Sequence, residues 1–370
     1  MKLVFKYTAY ANKLTQRRFN ESAGLCCDLY NLALEQRIAA FKSVCSRSVS
    51  KYDQQNELPE FKKANPEFSG VYSQTLQNVL IRLDNAFQSF FKRCQAHEAP
   101  GFPRFKSKDR YTTIVYNTSG YTIRGKYITF SKLGTFKLKL SRPILGDIKC
   151  VTLTKKSNGK FQVAFSCDNV PTKILPITGK AIGLDLGCTD IVSDSAGIKT
   201  ENPKFLKVSQ EKLRKLQANY ASKKTAKARK CLAKLHEKVA NQRKDFLHKL
   251  SRKYINENDL ICVEKLQPQK LADKSYKNIR KSMIEASWAM LLQQLRYKAE
   301  YAGRDIVEVN PRNTSKMCSD CGELVEKTLS NRIHKCKCGL SIDRDVNAAK
   351  NILRAGQAPI RKDKILSLKA

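Results

Sequence analysis

Residues 181–187 read Ala-Ile-Gly-Leu-Asp-Leu-Gly, an apolar run around one carboxylate, Asp185, with a glycine on either side of it. A short apolar run bounded by glycines is the pattern of a buried strand. An ionised Asp in such a strand is costly unless something pairs with it. On this stretch alone two readings stand level: a satisfied structural carboxylate and a metal ligand.

Two later segments bear on the choice. Residues 259–266, Asp-Leu-Ile-Cys-Val-Glu-Lys-Leu, form a second apolar strand interrupted by one acid, Glu264. Residues 342–349, Ile-Asp-Arg-Asp-Val-Asn-Ala-Ala, put Asp343 and Asp345 just ahead of an Ala-rich helix, whose N-terminus also favours an anion. Each acid alone reads as a buried carboxylate with a partner or as a helix cap. Three together, on two buried strands and one helix start, would repel one another, and hard divalent cations relieve that repulsion. Mg²⁺ takes oxygen ligands and keeps waters that substrate phosphates can replace. Two such ions about 3.5–4 Å apart activate a water and stabilise the leaving oxygen in phosphodiester cleavage.

The composition names the partner class. Seventy Lys+Arg against 33 Asp+Glu give a formal charge of +37 over 370 residues, spread along the chain rather than held in one tail. Such a protein repels itself unless a polyanion is present, and nucleic acid is the expected one. Of the 13 cysteines, nine are scattered (Cys26, Cys27, Cys45, Cys94, Cys150, Cys167, Cys188, Cys231, Cys262), as free thiols in a reducing compartment are. The start is too short and too charged for a secretory signal, and no run of about 18 apolar residues suggests a membrane span.

The remaining four cysteines form two close pairs, Cys318-Ser-Asp-Cys321-Gly and Cys336-Lys-Cys338-Gly. Pairs trailed by glycine are the knuckles of a zinc ribbon, and four protein ligands leave no open position for a water, so the expected Zn²⁺ is structural. The second pair is tighter than usual, and His334 stands two residues before it as an alternative fourth ligand.

Around these landmarks the pattern changes period. Residues 2–10 alternate as a strand, and helical spacing follows from about 14 to 38 and again from 73 to 91. Residues 52–70 read as a polar, proline-interrupted connection. Six short strand patterns between 112 and 166, separated by turns, predict a small barrel. One long helix is predicted over 205–250, where 14 Lys/Arg between 207 and 250 face three Asp/Glu, an excess that suits a nucleic-acid backbone. A further helix is predicted at 283–302 and a strand at 306–309. Residues 101–108, Gly-Phe-Pro-Arg-Phe-Lys-Ser-Lys, interleave rings with cations, as a stacking and phosphate-binding surface does, or as a solvated basic loop does.

With these residues in place, the chain resembles the TnpB family, RNA-guided DNA nucleases of bacterial insertion sequences related to the type V CRISPR effectors. The likeness rests on residues 183–187, 263–266, 343–349, the two cysteine pairs, 245–250 and 101–105. It implies an α+β multidomain protein: an RNase H-like (RuvC) nuclease domain (176–312 and 341–356) with a zinc ribbon insertion (313–340), and an N-terminal β-barrel, the wedge (1–10 and 96–175), with a helical recognition insertion (11–95). A basic tail (357–370) follows. It implies Asp185, Glu264 and Asp345 as catalytic Mg²⁺ ligands of a two-metal site, with Asp343 held back as a supporting residue. Guide RNA and double-stranded target DNA are the implied partners, and a prokaryotic cytoplasmic, nucleoid-associated location follows. Gln77 falls where the family places a base-reading residue, and a Gln can bond adenine twice in the major groove; Arg104 and Lys106 are the other candidate nucleic-acid contacts. A compact type V CRISPR effector, a transposase and a DNA-binding accessory protein of a mobile element are the competing readings.

Overall fold

The structure is a computed structural model describing every residue except 44–47, 118, 267–282, 284–285, 329–330 and 368–370, with 359–367 described by backbone alone. Cys45, and residues 284–285 of the predicted 283–302 helix, lie outside the described residues. The chain divides into two units, Met1–Val170 and Pro171–Ala370.

In the first unit, β1 (Leu3–Tyr10) buries Phe5, Tyr7 and Ala9 on one face, the period-2 pattern read from the sequence. Helix α1 (Lys13–Lys42) starts at Asn12, whose side chain accepts the Thr15 N–H, and buries Phe19, Ala23, Cys26, Leu29 and Leu34. The stretch expected to be a polar connection is instead α2 (Lys51–Ala64) followed by a 3₁₀ turn, Pro66–Gly70. Ser50 and Asp53 close a reciprocal cap at its start. Gln54 is buried and its amide donates to the Ala33 carbonyl. These tertiary ties hold α2 together despite Pro59 inside it. Helix α3 (Ser73–Gln95) buries Leu76, Leu80 and Leu83. Its last rings sit at the core's edge and beyond: Phe87, still packed against the core, and Phe90 each meet Phe91, and Phe102 packs edge-on against Phe87 and Phe90.

Six further strands follow: β2 (Thr113–Asn117), β3 (Tyr121–Arg124), β4 (Tyr127–Phe130), β5 (Gly134–Lys139), β6 (Asp147–Lys155) and β7 (Phe161–Asp168). With β1 they make one antiparallel sheet, order β2-β6-β7-β1-β5-β4-β3, curled into a nearly closed barrel. Its inner face and the buried sides of α1–α3 form a single core, in which Phe19, Phe136 and Phe161 meet edge to face.

In the second unit, β8 (Ala181–Asp185), β9 (Asp190–Asp194) and β10 (Lys199–Glu201) are followed by α4 (Phe205–Val208), α5 (Gln210–Lys223) and α6 (Ala226–Glu257). The single helix expected over 205–250 is therefore three. Lys224 turns left-handed at φ +48°, ending α5, and Thr225 caps α6 by accepting the Ala228 N–H. Then come β11 (Leu260–Glu264), α7 (Trp288–Ala302), β12 (Asp305–Val309), the hairpin β13 (Ile333–Lys335) and β14 (Ser341–Asp343), and α8 (Arg344–Ser367). Helix α8 runs on through 357–367, so that part of the expected 357–370 basic tail continues this helix, and its last three residues lie outside the described ones.

The five-stranded sheet has the order β10-β9-β8-β11-β12, with β8, β11 and β12 parallel. Ile182, Leu184, Ile261 and Val263 share a core with α6 and α7. The alternate residues Leu260 and Cys262 pack with Ile352 and Leu353 of α8. A Cβ added at Gly183 would overlap the Ala349 carbonyl and lie 2.7 Å from the Leu353 nitrogen, so α8 rests directly on β8. Helices thus cover both faces of the sheet. Among the described residues no helix is long and apolar enough to cross a membrane.

Candidate active site and cysteine cluster

The strand period aims the acids. Asp185 shares the phase of Gly183, and Glu264 the phase of Leu260 and Cys262, so both belong to the face that α8 covers. Both close their strands at the C-terminal end of the parallel pair, where sites in open α/β sheets gather. Asp345 lies in the first turn of α8. Asp185 feels both other acids: burial, then Glu264 and Asp345, push its carboxyl up to about 7. Burial also raises Glu264, against a bond from Thr314 that lowers it.

Asp343 is differently employed. Its Oδ1 accepts the backbone N–H groups of Asp345 (2.9 Å) and Val346 (3.2 Å), and its Oδ2 accepts the Lys199 ammonium at 2.6 Å. It caps α8. Burial works against its charge, but Lys199 and the helix amides hold its carboxyl below the usual range.

A cavity of about 370 Å³ opens at Asp185 and Asp345, ringed by Lys316, Lys327, Arg332 and Arg344. Arg344 Nε lies 3.0 Å from Asp345 Oδ1, and Arg332 lies 3.9 Å from Oδ2. A cavity lined by two acids and four basic residues suits an anionic substrate bound over metal cations. Charge excess alone did not single out those four basic residues, although Arg344 sits inside the motif that drew attention to its neighbours. Thr314 was also missed: its hydroxyl donates to Glu264 Oε1 at 2.6 Å.

The four cysteines come together. Every sulfur lies within 4.8 Å of the others, with Cys318 and Cys338 at 3.7 Å and Cys321 and Cys336 at 3.5 Å. Four thiolates about 2.3 Å from one zinc stand about 3.8 Å apart, so the group fits tetrahedral Zn²⁺. Gly322 (φ +83°) and Gly339 (φ +96°) make the turns after each pair, with backbone bonds to the Cys318 and Cys336 carbonyls. Burial opposes a Cys318 thiolate, yet the N–H groups of Cys321 and Asp320 bring it down to about 6. His334 is outside this group; it is fully buried and its Nδ1 accepts the Lys327 ammonium.

The nucleic-acid candidates lie in the first unit. Gln77 and Arg104 have exposed side chains, and Phe102 and Phe105 are about half exposed. Lys106 is half-buried instead, its ammonium 3.7 Å from the Tyr30 ring centre and its backbone bonded both ways to the Asn31 amide.

Comparison with known proteins agrees along the chain. Residues 164–275 match a family model described as "Probable transposase", and 288–352 match the Cas12f1-like TNB domain. Two relatives carry the name "Putative RNA-guided DNA endonuclease". The one from Streptomyces pristinaespiralis is 32% identical over 371 residues, covering 97% of this chain and 90% of that protein. The other, InsQ of Escherichia coli K12, is 29% identical, covering 92% and 88%. Among solved structures, a chain of a Cas12f1–sgRNA–target DNA complex shares the fold at a TM-score of 0.57, with 15% identity and 92% and 83% coverage.

Proposed function

The chain belongs to the TnpB family of RNA-guided DNA endonucleases, and from that premise we propose that it hydrolyses target DNA at the Asp185–Glu264–Asp345 site, directed by a bound guide RNA. The observation that carries this reading is that Asp185 and Asp345 line one cavity with Lys316, Lys327, Arg332 and Arg344, while Glu264, at the end of the strand beside β8, is near enough to act on the Asp185 carboxyl. The proposed architecture is an RNase H-like (RuvC) domain over 176–312 and 341–356 with a zinc ribbon at 313–340, and a wedge barrel over 1–10 and 96–175 carrying the 11–95 helices. The mixed sheet order, the helices on both its faces and the cysteine hairpin support it.

Asp185, Glu264 and Asp345 would hold the ions of a two-metal Mg²⁺ site; Asp343, engaged with Lys199 and the helix amides, would not. Bound there, Mg²⁺ supplies an activated water and charge stabilisation at the leaving oxygen. The protein's own contribution is orientation. The paired strands fix Asp185 and Glu264, the Asp343 cap fixes the turn bearing Asp345, and the basic residues lining the cavity neutralise phosphates flanking the scissile one. The four cysteines would hold one structural Zn²⁺.

Base pairing with the guide reads the target, and the protein reads a short duplex motif beside it. Gln77 and Arg104, both exposed, suit the motif and phosphate contacts, with Phe102 and Phe105 available for stacking. Lys106, seated on Tyr30, orders that loop. The basic α5–α6 segment offers a second surface for RNA phosphates. Work on nucleic acid inside a prokaryotic cell, at the nucleoid, is the setting this implies.

The test is cleavage of a guide-matched plasmid in Mg²⁺ by protein purified with its RNA. Both strands should be cut, and Asp185→Ala should abolish cutting while leaving RNA bound; full activity of Asp185→Ala would overturn the assignment. Sequencing the bound RNA separates the alternatives. A constant scaffold with a variable end marks a guide, its genomic origin distinguishes an insertion sequence from a CRISPR array, and random fragments favour a transposase or accessory protein.

A further inference from the structure

Glu264 and Thr314 are both at least nine-tenths buried, at 9% and 6% exposure, and they share a 2.6 Å hydrogen bond. The Thr314 hydroxyl has one proton and two acceptors in reach, Glu264 Oε1 and the Pro311 carbonyl at 3.1 Å. The shorter bond goes to the carboxylate, as charge-assisted bonds do. It engages one oxygen of Glu264 and so restricts rotation of the whole group.

Thr314 is itself gripped. The buried Asn351 amide donates to the Thr314 carbonyl at 2.9 Å and to the Met317 carbonyl at 2.7 Å. Asn347, one turn earlier on the same face of α8, donates to Met317 at 2.7 Å and accepts the Ser319 N–H at 2.9 Å. Helix α8 therefore holds the 314–319 stretch at both ends, and that stretch runs from the partner of Glu264 to Cys318. The same helix carries Asp345, two residues before Asn347. One rigid element sets two of the three acids, Asp345 through its own backbone and Glu264 through Thr314.

We infer that Thr314 is a positioning residue whose hydroxyl holds the Glu264 carboxylate in the orientation that binds the divalent ion, with Asn351 holding Thr314, and Asn347 the residues just after it, on α8. The inference rests on the carboxylate reading proposed above. Outer-shell partners of this kind change metal affinity or activity by about 10–100-fold when removed.

The experiment is a Mn²⁺ titration of the RNA-loaded protein by electron paramagnetic resonance, beside the Mg²⁺ dependence of plasmid cleavage. Thr314→Val, equal in shape but without the donor, should weaken Mn²⁺ binding about tenfold or more and raise the half-saturating Mg²⁺ to match, with bound RNA unchanged. Thr314→Ser should restore both. Thr314→Ala takes the place of Thr314→Val if the latter does not fold, with the same expectation. Wild-type Mn²⁺ affinity in Thr314→Val, or equal weakening in Thr314→Ser, would overturn the role of Thr314. Wild-type protein that binds no Mn²⁺, or an Asp185→Ala variant that binds it equally well, would instead overturn the carboxylate reading.

Discussion

Asp343 gives one oxygen to the amides of Asp345 and Val346 and the other to Lys199, whereas Asp345 lines the cavity beside Asp185. Their substitutions should therefore separate. Asp345→Asn should abolish cleavage, while Asp343→Asn, which keeps an acceptor for the helix amides, should lower the rate by about 10–100-fold at most. Asp343→Ala should in addition cost about 1 kcal/mol in thermal unfolding through loss of the cap. Lys298 makes a second test. It is 4% exposed, donates to the His248 carbonyl and Ser251 hydroxyl at 2.7 Å each, and burial brings its pKa down to about 8. Between about pH 8 and its ordinary 10.5, the unfolded chain holds this proton and the folded chain does not, so the lysine's contribution to stability rises with pH. Denaturant melts should show wild type gaining on Lys298→Met across that window; a flat difference refutes the assignment. Asp185 and Glu264 were legible because a charge inside an apolar strand is an anomaly. Thr314 was not: a threonine in a loop is unremarkable, and its partner lies 50 residues upstream.

The contact of α8 with β8 depends on Gly183 having no side chain. Gly183→Ala should force the helix off the strand, costing about 1–3 kcal/mol by overpacking. Because the displaced helix bears Asp345, cleavage should fall further than thermal stability predicts; unchanged melting and cutting would show the packing to be slack. At the cysteine hairpin, Cys318→Ser should lose the zinc and reduce soluble yield, read by metal analysis of the purified protein. Normal folding of wild type without zinc would refute a structural ion. Elements with a clean apolar period were readable ahead of the structure: β1, α1, the first half of α3, the barrel strands, β8 and β11. Helix α2 was not, because its stability lies in a cap and in Gln54 reaching the Ala33 carbonyl, neither of which leaves an apolar stripe. The break at Lys224 was equally invisible, since lysine is an ordinary helix former and only the backbone φ of +48° ends α5 there.

Over the whole chain, a formal +37 requires a polyanion of comparable size. The protein should purify with RNA, and the logarithm of its affinity for that RNA should fall linearly and steeply with the logarithm of salt concentration, as release of condensed cations demands. A filter-binding series in potassium chloride checks this, and a flat salt response would refute electrostatic RNA binding. This excess was plain from composition, while the surfaces that carry it were not, because charge counts do not say which cations are already seated, as Lys106 is on Tyr30. The position of Asp345 on α8 also has a consequence in time. Translation adds about 5–20 residues per second, so the 160 residues from Asp185 to Asp345 take about 10–30 s. Met1–Val170, a unit with its own core, is complete before that interval begins. A ribosome stalled ahead of α8 should thus present a nascent chain able to grip RNA and unable to nick a chromosome, which makes this helix the safety catch of the enzyme.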